Sequence, residues 1–261
     1  SGMARPVAVV TGASSGIGEV FARKLAVGHD LLLIARRRER LEALAAELAG
    51  QWGGRVEVLE ADLATEAGVA AAAERIAAEA NLDLLVNNAG FGVSGSFWET
   101  DLGRQEEMHR LHVMAVVRLC HAALQKMVAR NSGGIINVAS VASFVHAPGS
   151  ASYGATKAWM THFTEGLSLD LKAAGSAVQV QALCPGFTYS EFHDVLGRDR
   201  AKLAPKAWWL DTEFVVEESL QGLRGGKLFV VPDWKYRALV GVVPRLPVGV
   251  RVRMEEKRNR K

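Results

Sequence analysis

The chain has 261 residues, of which 49% are hydrophobic and 23% are charged. A chain of this length and composition can bury one large core, so we expect a single domain over residues 3–244. Its first residues lack the features of a secretory signal and it has no run of eighteen apolar residues, so we expect a cytoplasmic protein without a membrane span. Cys120 and Cys184 are too few for a disulfide framework and lack metal-ligand spacing, which predicts reduced thiols and no metal site.

The net charge of +3 is unevenly distributed along the chain. Residues 245–261 carry seven arginines and lysines against two glutamates, so this C-terminal tail has a charge of +5 and the rest of the chain has −2. A basic tail is either a solvated surface or a segment that touches a membrane surface or nucleic acid. We favour the solvated tail and assign it no nucleic-acid or membrane partner.

Apolar runs and helical periods alternate along the whole chain. The runs at 7–10, 31–35, 56–59, 82–86, 135–138, 178–183 and 229–231 predict strands. Apolar periods predict helices at 17–25, 41–48, 69–80, 102–130 and 153–172, with Gly28 as the C-cap of the first helix. Strands that are apolar throughout are typical of a parallel sheet covered on both faces by helices. The sequence therefore predicts an α/β fold with a doubly wound parallel sheet.

A glycine-rich turn joins the first predicted strand to the first helix. Gly12, Gly16 and Gly18 form a GxxxGxG pattern that also contains Ser14, Ser15 and Ile17. Glycines permit a tight turn and close backbone approach, so N–H groups at the helix start can bind a pyrophosphate. The spacing differs from the common GxGxxG fingerprint, and an ordinary strand-to-helix turn is the alternative.

The residues after the second strand bear on the choice of dinucleotide. A site for NAD would place a carboxylate there, whereas Ala35 is followed by Arg36, Arg37 and Arg38. A guanidinium group suits the 2′-phosphate of NADP, because it can form charge-assisted bidentate hydrogen bonds. Three arginines that open a solvated helix are the alternative. The pattern favours NADP(H), with Arg36 and Arg37 as its candidate ligands.

A tyrosine and a lysine form a candidate site for proton transfer. Tyr153 and Lys157 are four residues apart on a predicted helix, so their side chains share one face. We expect the lysine ammonium to lower the pKa of the phenol toward the working pH. Ser140 follows the strand at 135–138, at the sheet edge where ligands bind in such folds, and could bind a substrate oxygen.

These motifs together resemble the short-chain dehydrogenase/reductase family over essentially the whole chain. The matching segments are TGASSGIG at 11–18, Asp62-Leu63, NNAG at 87–90, Ser140, the YxxxK pair and Pro185-Gly186. The resemblance, closest to a bacterial carbonyl reductase subgroup, implies a Rossmann-type fold and NADPH-dependent reduction of a ketone, aldehyde or 3-oxoacyl group to an alcohol. Tyr153 would be the proton donor, and the substrate a small molecule with a carbonyl or alcohol group. The resemblance also implies a homodimer or homotetramer.

The resemblance also assigns further cofactor contacts. It places Asp62 and Leu63 beside the adenine, and Asn88, Ala89 and Gly90 along the cofactor. The turn of Pro185 and Gly186, with Thr188, would meet the carboxamide. Tyr153 and Lys157 would contact the nicotinamide half, where Lys157 holds the ribose hydroxyls.

The sequence departs from the family at one position of the site. Counting back from Ser140 places His112 where the family has an asparagine that organises a proton relay to the lysine. A structural, hydrogen-bonded histidine and a histidine within the relay are both open interpretations. Because of this departure, an NADP(H)-binding sensor or regulatory protein with little catalysis is the alternative function. Ser190 stands where the family pattern has threonine, and its hydroxyl group is retained.

Residues 188–214 show no clear period, and we expect them to form a loop that covers the substrate. Some of the aromatic and histidine side chains from this loop and from other segments at the carboxyl edge are expected to line an apolar substrate pocket, and ordinary core residues are the alternative for several of them. They are Phe91, Phe97, Phe144, His146, Phe187, Trp208 and Trp209.

Overall fold

A computed structural model describes residues 4–189 and 203–260. Within these ranges seven parallel strands form one sheet in the order β3-β2-β1-β4-β5-β6-β7. The strands are β1 (Val7–Thr11), β2 (Asp30–Ala35), β3 (Val56–Glu60), β4 (Leu82–Asn87), β5 (Gly134–Val138), β6 (Gln179–Leu183) and β7 (Phe229–Val230). The predicted doubly wound α/β sheet is confirmed.

Helices cover both faces of this sheet. They are α1 (Gly16–Leu25), α2 (Arg38–Trp52), α3 (Glu66–Ala77), α4 (Leu102–His109), α5 (Val116–Arg130), α6 (Ala151–Ala173), α7 (Thr212–Arg224), α8 (Trp234–Val242) and α9 (Val248–Asn259). Each crossover between neighbouring parallel strands needs such a connection, because parallel strands cannot be joined by a tight hairpin.

Alternate residues of the strands point into two separate cores. Val9 and Leu32 pack with side chains of α3, α5 and α6 on one face. Ala8 and Val10 pack with side chains of α1, α2 and α7 on the other face. Both faces of the central strands are therefore apolar, which explains why these strands are continuous apolar runs in the sequence.

The helix predicted over 102–130 is present, and one stretch of it, Arg110–Ala115 between α4 and α5, is π-helical. One helix end is predicted wrongly. Helix α1 ends at Leu25, and Gly28 does not cap it, because Ala26 occupies the C-cap in a right-handed conformation and bonds the carbonyl of Ala22. The π-helical segment is only six residues long and α-helix continues on both sides of it, so the apolar residues still predict one helix and do not reveal the segment.

The segment Leu102–Arg130 is also long and apolar enough to cross a membrane by length and composition. Its inward side, which includes Met108, Ala115 and Leu119, is buried in the protein core. The core helices of other proteins pass the same test, so this segment is weak evidence for a membrane span.

Candidate active site

The strand order reverses between β1 and β4, and the carboxyl ends of these strands border a cavity of about 1610 Å³. Such a reversal point is where open α/β sheets bind ligands. The cavity is lined by nearly all of the predicted site residues, and Gly18 and His112 are the two that lie behind its wall.

The glycine turn requires glycine for conformation and for space. Gly12 and Gly16 have left-handed φ angles of +62° and +57°, which side chains other than glycine rarely adopt. A Cβ at Gly18 would overlap the carbonyl of Gly12. Ser15 occupies the N-cap of α1 but forms no side-chain cap hydrogen bond within the described chain. The first N–H groups of α1 are therefore suited to a phosphate, together with Ser14 and Ile17 of the cavity wall.

Two of the three consecutive arginines face the cavity. Arg36 and Arg37 are exposed and line it. The Arg37 Nη2 atom lies 3.1 Å from Ser15 Oγ and 3.4 Å from Ser14 Oγ, so this guanidinium group reaches back to the glycine turn. Arg38 instead pairs with two glutamates of the surface and does not line the cavity. The positive charge next to the turn comes from Arg36 and Arg37.

Thr11 fixes the position of Asn88 and Ala89, which line the cavity; the sequence analysis placed Thr11 in the TGASSGIG segment but assigned it no role. Its hydroxyl accepts hydrogen bonds from the backbone N–H groups of Asn88, at 2.9 Å, and Ala89, at 3.0 Å. The Asn88 amide donates to the carbonyls of Thr11 and Gly12. These contacts join the ends of β1 and β4. They span more than seventy residues of sequence, so no local pattern could have shown them.

The predicted adenine contacts also lie in the cavity wall. Leu63 is buried and offers an apolar surface, and Asp62 is half-buried. One carboxylate oxygen of Asp62 accepts a hydrogen bond of 3.0 Å from the N–H of Ala64, which fixes the direction of its side chain.

Ser140, Tyr153 and Lys157 meet at the same wall of the cavity. Ser140 lies just beyond β5, and its Oγ accepts a hydrogen bond of 3.1 Å from the N–H of Ala142. The Lys157 ammonium donates a hydrogen bond of 2.9 Å to the carbonyl of Val138, and its Nζ lies 5.8 Å from the centre of the Tyr153 ring. A hydroxyl, a phenol and an ammonium group thus share one site at the carboxyl edge of the sheet.

The pKa values of this site follow from burial. Burial raises the pKa of Tyr153 to about 12, and its hydrogen bond with Ser140 acts in the opposite direction. The net shift of the Tyr153 pKa is therefore upward, against the expected lowering toward the working pH, because the loss of solvation of the phenolate outweighs the hydrogen bond with Ser140. Burial lowers the pKa of Lys157 to about 8. At neutral pH the phenol keeps its proton.

His112 lies in the π-helical segment and is buried behind Tyr153. Its Nδ1 atom is 2.9 Å from the hydroxyl oxygen of Thr156, and its ring meets the Tyr153 ring edge-on at 6.1 Å. Burial and then the charge of Lys157 hold the pKa of His112 well below its usual value. The Nε2 atom faces Gly90, where a Cβ would overlap it. A neutral imidazole therefore stands at the asparagine position.

The turn after β6 closes the site on the other side of Tyr153. Gly186 packs flat against the ring of Tyr236, where a Cβ would overlap the ring. The Tyr236 hydroxyl accepts a hydrogen bond from the N–H of Phe187 and donates one to the carbonyl of Trp208. Thr188 is buried and bonds the carbonyl of Gly186. Tyr236, from α8, is a second positioning residue that the sequence analysis missed.

The sequence of the chain matches a known family across most of its length. The sequence model for "short chain dehydrogenase" matches residues 6–201. The chain belongs to the short-chain dehydrogenase family. The predicted family is confirmed, and the chain is an oxidoreductase of this family with a nucleotide-binding fold.

Individual relatives of this short-chain dehydrogenase agree with the family match. A 3-oxoacyl-[acyl-carrier-protein] reductase of Aquifex aeolicus is 32% identical over 195 residues, which cover 74% of this chain and 78% of the relative. A short-chain dehydrogenase of Sphingobium yanoikuyae, solved in complex with NADPH, is 36% identical with a TM-score of 0.83, over 90% of this chain and 92% of that chain. A short chain dehydrogenase/reductase of Burkholderia phymatum, solved with NAD, is 26% identical with a TM-score of 0.82, over 94% and 98%.

The predicted aromatic pocket of this short-chain dehydrogenase is only partly present. Four of the seven candidate side chains line the cavity: Phe91, His146, Phe187 and Trp208. The other three lie elsewhere: Phe97 is 57% exposed, Phe144 packs against Phe229, and Trp209 packs against Phe187 and Tyr189. Part of the predicted covering loop at 188–214 lies outside the described residues, and Ser190 belongs to that part.

The basic C-terminal residues form a helix. Helix α9 has no fully buried residue, but one of its faces borders the cavity. Residues 248–259 are helical and mostly exposed to solvent, and the favoured interpretation as a solvated tail did not include this helix. The sequence pattern did not predict this helix for two reasons. The segment is highly charged, and its apolar residues face an open cavity instead of a packed core.

Proposed function

We propose that this short-chain dehydrogenase reduces a carbonyl group to an alcohol with NADPH as the hydride donor and Tyr153 as the proton donor. The observation that carries the proposal is the meeting of Ser140, Tyr153 and Lys157 at one cavity wall. A phenol with a pKa of about 12 and an ammonium with a pKa of about 8 suit the donation of a proton at neutral pH.

The described residues fit a dinucleotide. Helix α1 offers its first N–H groups to the pyrophosphate at a turn in which glycine is required. The same cavity is lined by Asp62, Asn88, Tyr153 and Lys157, so one continuous space joins the glycine turn to the proton-transfer residues, as an extended cofactor requires. When bound, the cofactor supplies the hydride.

The choice of NADP over NAD rests on charge. Arg36 and Arg37 face the cavity at the end of β2, and Ala35 provides no carboxylate for ribose hydroxyls. An additional phosphate at this place would receive charge-assisted hydrogen bonds from the guanidinium groups. We therefore assign NADP(H) as the cofactor.

The chain's own residues divide the proton chemistry among them. The hydroxyl of Ser140 binds the substrate carbonyl oxygen, and the phenol of Tyr153 polarises the same oxygen by a second hydrogen bond. As negative charge develops on that oxygen, Tyr153 transfers its phenolic proton to it and becomes a phenolate. The Lys157 ammonium stabilises the phenolate, and a proton from solvent restores the phenol. The alcohol leaves with one added proton and one added hydride.

A substitution of Tyr153 tests the proposal. Tyr153→Phe removes the proton donor and leaves the ring, so we expect turnover to fall by about 10²- to 10⁴-fold with little change in NADPH affinity. The assay follows NADPH absorbance with a panel of aldehydes, ketones and 3-oxoacyl thioesters. Full turnover by the variant contradicts the proton role. Tight binding of NADPH by the wild type without turnover on any compound favours the sensor alternative instead.

A further inference from the structure

The far end of the cavity is closed by a helix face that the proposed reaction does not use. Val248, Arg251, Val252, Glu255 and Asn259 of α9 line the cavity. Val248, Val252, Glu255 and Asn259 follow each other at steps of three or four residues, and Arg251 lies four residues before Glu255, so they share one side of the helix. The side chains of Val248 and Val252 are 63% and 50% exposed. This face is therefore open to the cavity and not packed against the sheet.

Arg251 and Glu255 of this face each have a side-chain atom that is inaccessible to solvent and has no hydrogen-bond partner, the Nε of Arg251 and the Oε2 of Glu255. The Oε2 atom of Glu255 forms an ion pair with Arg258 at 2.7 Å. Within residues 4–189 and 203–260 Arg251 forms no ion pair, so its guanidinium group is the one of the two charges without an opposite charge. A buried N–H donor without an acceptor is unfavourable, so a ligand oxygen at Arg251 would be stabilised.

Apolar side chains line the same cavity as Arg251. Helix α8, which leads into α9, is fixed beside Gly186 and Trp208 through Tyr236. The cavity lining also includes the apolar side chains of Leu203, Leu239 and Val243. A molecule with its carbonyl at Ser140 and Tyr153 would thus extend along apolar side chains toward Arg251.

We propose that Arg251 binds a carboxylate at the end of the substrate remote from the reacting carbonyl, so that the substrates are oxo acids with an apolar chain between the two groups. This proposal rests on the proposed reduction of a carbonyl. A guanidinium group can bind a carboxylate with two parallel hydrogen bonds, and the low-dielectric wall strengthens them. Arg251 is then the specificity-determining residue of the cavity.

The test compares oxo acids of increasing chain length with their neutral methyl esters. We expect the wild type to favour one length of acid over its ester, and Arg251→Gln to reduce this preference by about 10- to 100-fold, the usual range for a charge-assisted hydrogen bond. The loss should appear in KM of the acid, with the ester unchanged. Arg253→Gln is the matched control, because Arg253 lies on the same helix, is exposed and does not line the cavity.

Three results would overturn the proposal. They are equal kcat/KM values for acid and ester in the wild type, equal effects of Arg251→Gln and Arg253→Gln, and a matching loss of NADPH affinity in Arg251→Gln. Calorimetry with the same acids and esters reports on Arg251 without turnover. Preferential binding of the acid that is lost only in Arg251→Gln, without reduction, would support the carboxylate site and contradict the proposed reaction.

Discussion

His112 Nδ1 lies 2.9 Å from Thr156 Oγ1, and that hydroxyl lies 2.9 Å from the carbonyl oxygen of Tyr153. The hydroxyl donates its proton to the carbonyl, so it accepts from an Nδ1–H group of the imidazole. This network assigns the neutral tautomer of His112 with Nε2 unprotonated. A side chain at the asparagine position thus bonds the helical turn that carries Tyr153, and we infer that it positions the phenol.

Removal of the Thr156 hydroxyl should disturb this turn. Thr156→Val leaves the N–H of a buried imidazole without an acceptor, so we expect the free energy of unfolding to fall by about 1–3 kcal/mol. We also expect kcat for carbonyl reduction to fall severalfold while KM for NADPH stays unchanged. Urea unfolding and steady-state kinetics measure the two effects.

Thr161→Val is the control for this change. Thr161 is also buried in α6, and its hydroxyl donates to the carbonyl of Ala158 at 2.9 Å, just as Thr156 does to that of Tyr153. Thr161 lacks the histidine partner, so the Thr161→Val variant should lose less stability than Thr156→Val and should keep its full turnover. Equal losses in the two variants would contradict a positioning role for the His112–Thr156 bond.

The depressed pKa of His112 predicts that acid destabilises the protein. Below a pH of about 6.5, the unfolded chain binds a proton at this histidine that the folded chain does not bind. The free energy of unfolding therefore decreases as the pH is lowered, by up to about 1.4 kcal/mol per pH unit for this group. His112→Gln should lose less stability between pH 7 and pH 5 than the wild type in urea unfolding. The exposed His146→Gln should behave as the wild type, and an identical slope in all three would exclude His112 as the cause.

The fold was predictable because its signals are local. Each buried strand is a short apolar run, and the glycine turn is defined by three residues within seven. The same holds for the YxxxK pair, whose spacing alone places both side chains on one helix face. Parallel sheets bring the carboxyl ends of strands to one edge, so Ser140 could be assigned to the site without coordinates.

The unpredicted parts of the site depend on contacts distant in sequence. The hydroxyl of Thr11 bonds the backbone of Asn88, and the hydroxyl of Tyr236 bonds the backbone of Phe187. Both pairs are joined across loops that carry no periodic signal. The pKa of Tyr153 depends on how deeply the phenol is buried, which the sequence pattern does not report. The cavity role of α9 was masked by the charge of residues 245–261.

The arginines at the end of β2 should discriminate between the two dinucleotides. Arg37→Ala removes a guanidinium group that reaches Ser14 and Ser15. Arg36→Asp replaces the neighbouring guanidinium group at the end of β2 by a carboxylate. We expect kcat/KM with NADPH to fall by about 10- to 100-fold in either variant, with NADH equal or improved. In Arg38→Ala the ratio should stay constant, because Arg38 pairs with Glu42. An unchanged NADPH-to-NADH ratio in all three would refute NADP preference.

The pKa of Lys157 should set the alkaline limit of carbonyl reduction. The proposed reaction needs the ammonium form to stabilise the Tyr153 phenolate, and this form is lost as pH rises through about 8. We therefore expect kcat/KM to be level below pH 8 and to fall about tenfold per pH unit above it. A rate that stays level to pH 10 would contradict this role.

The lowered pKa of Lys157 should also make the folded protein more stable as the pH rises above 8. Between pH 8 and pH 10.5 the unfolded chain keeps a proton on Lys157 that the folded chain has released, so stability rises with pH in this window. Lys157→Met removes this term, and its stability relative to the wild type should fall as pH rises from 8 to 10. Lys172→Met is the matched control, because Lys172 is exposed on the same helix. If both variants follow the wild type across this range in urea unfolding, burial does not lower the pKa of Lys157, and the alkaline limit of the reaction belongs to another group.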